Sequence, residues 1–245
     1  MAPRRQALAV CIAGLVALAT HAPAEEGKAD SAVLIEWLLQ DGRDLKDIPF
    51  SEVLAATTGK NILPVPPDAA WLRRLATVLD RTLAAMNDPT HPIHTVGRIN
   101  EASRFIEDQL MAECNKEPGW SCGIPRTSAG EEQRSGYPDL RLVLEDKSVV
   151  YLDPKLFARG SKTSTLRTFY YEPKSTTSKV QDDARHLLVG VQHNGGEEGK
   201  IRFEEWDLVD ISKIKVQLKA EFQASNKDLY RGDTILLKSP PSRSP

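Results

Sequence analysis

Residues 136–156 read GYPDLRLVLEDKSVVYLDPKL, and the reading of the fold starts from this stretch. Leu140, Leu142 and Leu144 alternate with Asp139, Arg141 and Val143. A period of two marks a strand with one face turned to a core. Glu145-Asp146-Lys147-Ser148 makes a turn, although it lacks the favoured Asn-Gly pair, and Val149 to Leu156 forms a second strand. The two strands predict a β-hairpin. Folding at that turn brings Asp139 next to Asp153. Lys155 lies two residues beyond Asp153, so both side chains leave the same face of the strand.

Upstream, the periodicity is helical. Gly97 to Cys114 carries an apolar stripe of Ile99, Ala102, Ile106 and Leu110, with Glu101 in the first turn and Glu107, Asp108 and Glu113 later. Asp68 to Met86 repeats Trp71, Leu72, Leu75, Val78, Leu79, Leu83 and Met86 at helical spacing, with Arg73, Arg74 and Arg81 on its polar side. Pro49 to Thr58 and Ser31 to Leu39 are shorter helical patterns that end at Gly59 and at Asp41-Gly42. Trp120 to Ile124 reads as a short strand, followed by a polar loop from Thr127 to Gly136.

Downstream, Thr168 to Tyr171 reads as a third strand and Ser178 to His186 as a helix with Val180 and Ala184 inward. Leu187 to Gln192 is an apolar strand, His193 to Gly196 a turn, and further strands fall near Ile201–Trp206 and Ile214–Ala220. The order suits an α/β fold: a mixed central β-sheet flanked by helices, with a helical N-terminal arm.

The 245 residues allow one or two domains, and 40% hydrophobic with 27% charged residues is globular composition. The net charge of −2 excludes a generally basic nucleic-acid coat, so any polyanion site is local. Arg4 and Arg5, the apolar run from Ala7 to Thr20 and the small residues Ala22-Pro23-Ala24 have the layout of a secretory signal peptide. The expected organisation is a signal peptide at 1–24, a helical region at 25–90, a main domain at 91–237 and a disordered Pro/Ser-rich tail at 238–245. The expected location is secreted or periplasmic, or cytoplasmic for a chain starting downstream of the leader. Of three cysteines, Cys114 and Cys122 follow the leader, and they either close a small disulfide loop or stay as thiols. His91 and His94 are spaced to share a metal, but Pro92 and the lack of a further ligand argue against it.

Two carboxylates on adjacent strands make an oxygen-ligand site for a hard cation such as Mg²⁺. Such an ion lowers the pKa of bound water and stabilises charge on a phosphate, while a neighbouring lysine orients the water. The chemistry read from Asp139, Asp153 and Lys155 is phosphodiester hydrolysis. From Lys155 to Lys179, the basic residues Arg159, Lys162, Arg167 and Lys174 are opposed only by Glu172 and interleaved with Phe169, Tyr170 and Tyr171, a local track for phosphates.

Pro138-Asp139 and Asp153-Pro154-Lys155, in a helix, three-strand, helix, strand order, resemble the PD-(D/E)XK nuclease superfamily with its restriction endonuclease-like fold, and type II restriction members most. The resemblance covers roughly residues 97–220. It implies a Mg²⁺- or Mn²⁺-dependent endonuclease acting on DNA, with Asp139 and Asp153 as metal ligands, the Pro154 carbonyl beside them and Lys155 positioning the water. It also implies a glutamate from the preceding helix, for which Glu101 is the first choice and Glu107 and Glu113 the alternatives. Cutting both strands of a palindrome would favour a homodimer. The rival readings are a catalytically inactive nucleic-acid-binding module on the same fold and an exported structural or partner-binding protein.

Overall fold

A computed structural model of the protein describes residues 33, 35–37, 46–96, 99–166, 169–174, 176–195, 201–219 and 223–237. The expected leader, the tail at 238–245 and Arg167 lie outside these residues. The chain forms two compact units, one of residues 1–43 with 220–245 and the other of Asp44–Lys219. In the first unit, Val33, Ile35, Glu36 and Trp37 are helical. A short helix at Asn226–Leu229 opens with a Ser225–Asp228 capping box. Among the described residues, no helix is long and apolar enough to cross a membrane.

The second unit is built on a mixed sheet in the order β2 (Ser121–Gly123), β3 (Leu140–Val143), β4 (Val149–Ala158), β5 (Arg185–His193) and β6 (Phe203–Asp210). β4 and β5 are parallel, and the other neighbours are antiparallel. The strand β1 (Ile48–Pro49) pairs separately with β7 (Lys215–Val216). Three longer helices accompany the sheet: α1 (Phe50–Thr58), α2 (Ala70–Met86) and α3 (Ser103–Cys114).

Strand alternation divides the core in two. Leu140, Leu142, Val150, Leu152, Leu187, Val189 and Val191 join α2 and α3 in the larger cluster. Val149 and Tyr151 turn to the other face, where they meet Phe50 and Leu54 of α1 and the segment carrying Val180 and Ala184. The expected α/β architecture is therefore present, a mixed central sheet flanked by helices. α2 packs into the same core cluster as the sheet. Arg74 and Arg81 are committed to acids, with Arg74 on Glu117 at 3.1 Å and Arg81 on Glu113 and Glu117 at 3.2 and 2.7 Å. Leu110 is fully buried where α3 meets this core. Leu110→Ala is expected to cost about 2–5 kcal/mol, read as a lower urea midpoint with an unchanged slope.

Four expectations of secondary structure are corrected. The helix expected from Gly97 starts at Ser103, preceded by 3₁₀ turns at Pro92–Thr95 and Ile99–Glu101. Phe169 to Tyr171 do not form a strand; Phe169 and Tyr171 pack edge-on against Phe50 and Tyr137. No helix forms over Ser178–His186. Its backbone and side chains are drawn into tertiary bonds: Gln181 N–H donates to the Tyr151 hydroxyl (3.0 Å), Leu63 N–H donates to the Ala184 carbonyl (2.7 Å), and Ala184 N–H donates to the Asn61 carbonyl (3.2 Å). Arg141 also holds Asp182 through two hydrogen bonds of 2.8 and 3.0 Å. These partners take up groups that a helix would need internally. The tail strand expected near Ile214–Ala220 contracts to Lys215–Val216.

Candidate active site

The hairpin sets the site. Leu140 pairs with Leu152, the last rung of β3 on β4, and β4 continues alone along β5 through Asp153 to Ala158. Asp139 and Asp153 stand just beyond that last rung, where β3 leaves the sheet and its edge opens. Gly136, at φ +82°, turns the chain into Tyr137-Pro138-Asp139 in a region that an L side chain rarely adopts. On β5, Gly190 faces the Phe157 ring, and a Cβ at Gly190 would stand 3.2 Å from that ring. Gly190 pairs with Lys155 in register, so the missing side chain leaves room for the aromatic next to the lysine.

Lys155 bridges the two acids. Its Nζ lies 3.2 Å from Asp139 Oδ2 and 2.8 Å from Asp153 Oδ2. The buried Asp153 Oδ2 has the Lys155 ammonium as its close polar contact. Asp153 is 3% exposed. Burial, with the Asp139 charge second, pushes its carboxyl up to about 7. Burial opposes the charge on Lys155, but Asp153 and Asp139 outweigh it and hold the ammonium above its ordinary range. Two carboxylates and one ammonium are thus held in place by strand register rather than by flexible loops.

The supporting shell is ordered. Tyr137, partly buried, shares a 2.6 Å hydrogen bond with His186 Nδ1 and stacks on its ring. Burial pushes His186 down to about 3, so it stays neutral at working pH. His186 is thus a core residue of β5. His193 lies buried at the end of β5, its Nδ1 accepting from Gly195 N–H. Cys114 and Cys122 are buried free thiols in contact, and the hydrogen bond with Cys122, followed by burial, pushes the Cys114 thiol upward.

The structure sorts the remaining expected residues. Glu101 is exposed on its 3₁₀ turn and does not line the cavity that holds Asp139 and Lys155. Glu107 lines that cavity instead, and burial followed by the Asp139 charge raises its carboxyl. Helix α3 begins later than the sequence suggested, which moves the site-facing glutamate from Glu101 to Glu107. Glu113 is buried and committed to Arg81 and Lys116. The basic stretch is not opposed by Glu172 alone. Arg159 pairs with Glu204, Lys162 with Asp207 (2.8 Å) and Glu205 (3.6 Å), and Lys174 with Glu172 (2.8 Å). The acids on β6 were too far away in sequence to be associated with it. Lys179 and Arg134 also border the site. A lysine amid polar residues looks solvated in sequence, and nothing there marked Lys179 as buried.

The donor set fits a hard divalent cation: two carboxylates brought together at the open end of the hairpin, one of them buried, with an exchangeable ammonium between them. Among the described residues, no group of three acids, histidines or cysteines is already gathered for a metal. The pair is balanced instead by Lys155.

Comparison with known proteins gives the following. Residues 43–233 match the sequence model of the MjaV type II restriction enzyme family. The chain is 28% identical over 209 residues to the type II restriction enzyme MjaV of Methanocaldococcus jannaschii, covering 78% of this chain and 89% of that enzyme. No solved structure matches the chain.

Proposed function

The chain belongs to the MjaV family of type II restriction enzymes, and on that premise we propose that it cleaves DNA endonucleolytically at a PD-(D/E)XK-type centre made of Asp139, Asp153 and Lys155. The single observation that carries the site assignment is Lys155 Nζ, held 3.2 and 2.8 Å from carboxylates on adjoining strands.

Asp139 and Asp153 would hold Mg²⁺ or Mn²⁺, with Glu107 in place of Glu101 as the carboxylate from the helix. The ion would supply Lewis acidity toward the phosphate and an acidified water. Asp153, shielded from solvent, offers its oxygens at a fixed position on β4. Lys155 neutralises the paired acids in the free protein. With substrate present, its ammonium faces the phosphate, orients the attacking water and stabilises negative charge building on the phosphoryl oxygens. The low-polarity surroundings supplied by Phe157 and Tyr137 strengthen each of these interactions. Arg159, Lys162 and Lys174 would contact the DNA backbone by exchanging their carboxylate partners for phosphates.

The testing experiment is cleavage of plasmid and linear DNA with Mg²⁺, Mn²⁺ or EDTA. Discrete fragments with either metal and none with EDTA are expected. Intact DNA in every lane, together with no divalent-ion stabilisation of the protein, would sink the reading.

A further inference from the structure

Arg134 and Lys179 have no part in the chemistry above, yet one lines the same cavity and the other holds its backbone. Arg134 lines it together with Glu107, Asp139 and Lys155. Its Nη1 bonds Glu107 Oε2 at 3.3 Å and its Nη2 bonds Asp108 Oδ1 at 2.6 Å. Its side chain remains 35% exposed. Lys179, by contrast, is 1% exposed, one of the largest fully buried side chains of the protein. Its Nζ donates to the Arg134 carbonyl at 3.1 Å, and among the described residues it bonds no carboxylate.

Removing an ammonium from water is costly unless nearby negative charge compensates. Burial lowers the Lys179 pKa, while Asp139, Glu107 and Asp153 pull the other way. The acids of the site therefore stabilise Lys179 from a distance, and among the described residues the group it holds directly is the backbone carbonyl of Arg134.

We propose that Arg134 is a substrate-binding residue that takes a phosphate of the DNA backbone, and that Lys179 is the positioning residue that fixes it at the catalytic cavity. This rests on the nuclease reading above. A cavity lined by Asp139 and Glu107 repels a polyanion unless a cation faces the incoming strand. Lys155 lies between its two carboxylates. Arg134 is half-open to solvent, and its two ion pairs use two of the five guanidinium donors. The rest of the fork is geometrically suited to a phosphate. An ion bound by the site acids would weaken the hold of Glu107 on Arg134 as substrate arrives.

The test uses the full chain and a duplex containing a cut site mapped by sequencing the ends of fragments produced by the wild type. Affinity is measured across salt concentration with Ca²⁺ in place of Mg²⁺, for wild type, Arg134→Gln, Arg134→Lys, Lys179→Met and the double variant Arg134→Gln/Lys179→Met. Losing one phosphate contact flattens the slope of log K against log salt by about one. Arg134→Gln is expected to show that change, Arg134→Lys to keep the wild-type slope, and Lys179→Met to reproduce the Gln defect. The double variant is expected to be no worse than Arg134→Gln, because both changes remove one contact. A wild-type slope in folded Arg134→Gln would assign Arg134 to a clamp between the loop and α3 and overturn the inference while leaving the nuclease reading intact. A slope change in Arg134→Gln with none in Lys179→Met would overturn the role of Lys179. Wild-type protein that neither cuts nor binds DNA would overturn the nuclease reading, and this inference with it.

Discussion

Lys155→Ala is expected to lower turnover by at least about 10²–10³-fold, the usual cost of removing one preorganised electrostatic group from a water-poor site, while the protein stays folded and binds divalent ions more tightly. The two halves of this outcome have one cause. In the free protein, Lys155 Nζ occupies the space between Asp139 and Asp153 at 3.2 and 2.8 Å. It competes with any cation for their oxygens, so its removal frees both carboxylates and raises the site's negative charge. On the proposed mechanism, the same removal takes away the group that would orient the water and balance the phosphate. Thermal shift with Ca²⁺ reads the first effect, and single-turnover cleavage with Mg²⁺ reads the second. Asp153→Ala is expected to lose both cleavage and ion stabilisation. Wild-type cleavage by Lys155→Ala would remove the lysine from the mechanism.

The hairpin was legible because two independent signals agreed on it. Period-two alternation placed Leu140, Leu142 and Leu144 on one face, and the turn at Glu145–Ser148 followed by the strand from Val149 brought Asp139 toward Asp153, just past the Leu140–Leu152 rung. The glutamate was harder, because one helical stripe cannot locate a helix start. Ile99 and Ala102 fit the stripe of α3, but the chain is still in 3₁₀ turns there. That difference leaves Glu101 exposed and puts Glu107 in the cavity. The segment 178–186 misled for a related reason. Val180 and Ala184 are spaced for a helix, yet an extended chain buries both equally well once Tyr151, Arg141 and Asn61 supply its hydrogen bonds. Those partners come from distant parts of the chain, so local periodicity carries no trace of them. The burial of Lys179 is of the same kind, since it depends on acids contributed by β3, β4 and α3.

Asp153→Asn is expected to make the metal-free protein more stable at pH 8 while destroying activity. Burial and the Asp139 charge raise Asp153 to about 7 in the folded protein, whereas in the unfolded chain it titrates near 4. Between these values the native state holds a proton that the unfolded state has released. Stability therefore falls as pH rises across that window, and the full penalty is present above it. One pH unit of displacement is worth about 1.4 kcal/mol, and a domain of this size gains about 2–4 °C in Tm for each kcal/mol. Metal-free wild type should lose several degrees between about pH 5 and pH 8, and asparagine, which has no charge to bury, should remove most of that slope. Lys155 keeps Asp139 as its partner in the variant, so its ammonium is not left unpaired. Adding Mg²⁺ or Ca²⁺ at pH 8 should stabilise wild type and have little effect on Asp153→Asn, because the ion repays a charge penalty that the variant no longer carries. Equal pH slopes in the two metal-free proteins would show that Asp153 is charged at little cost in the fold. A carboxylate kept at this cost to stability is what the proposed cation site would require: the charge penalty sits at Asp153 in the free protein and would be relieved by a bound ion.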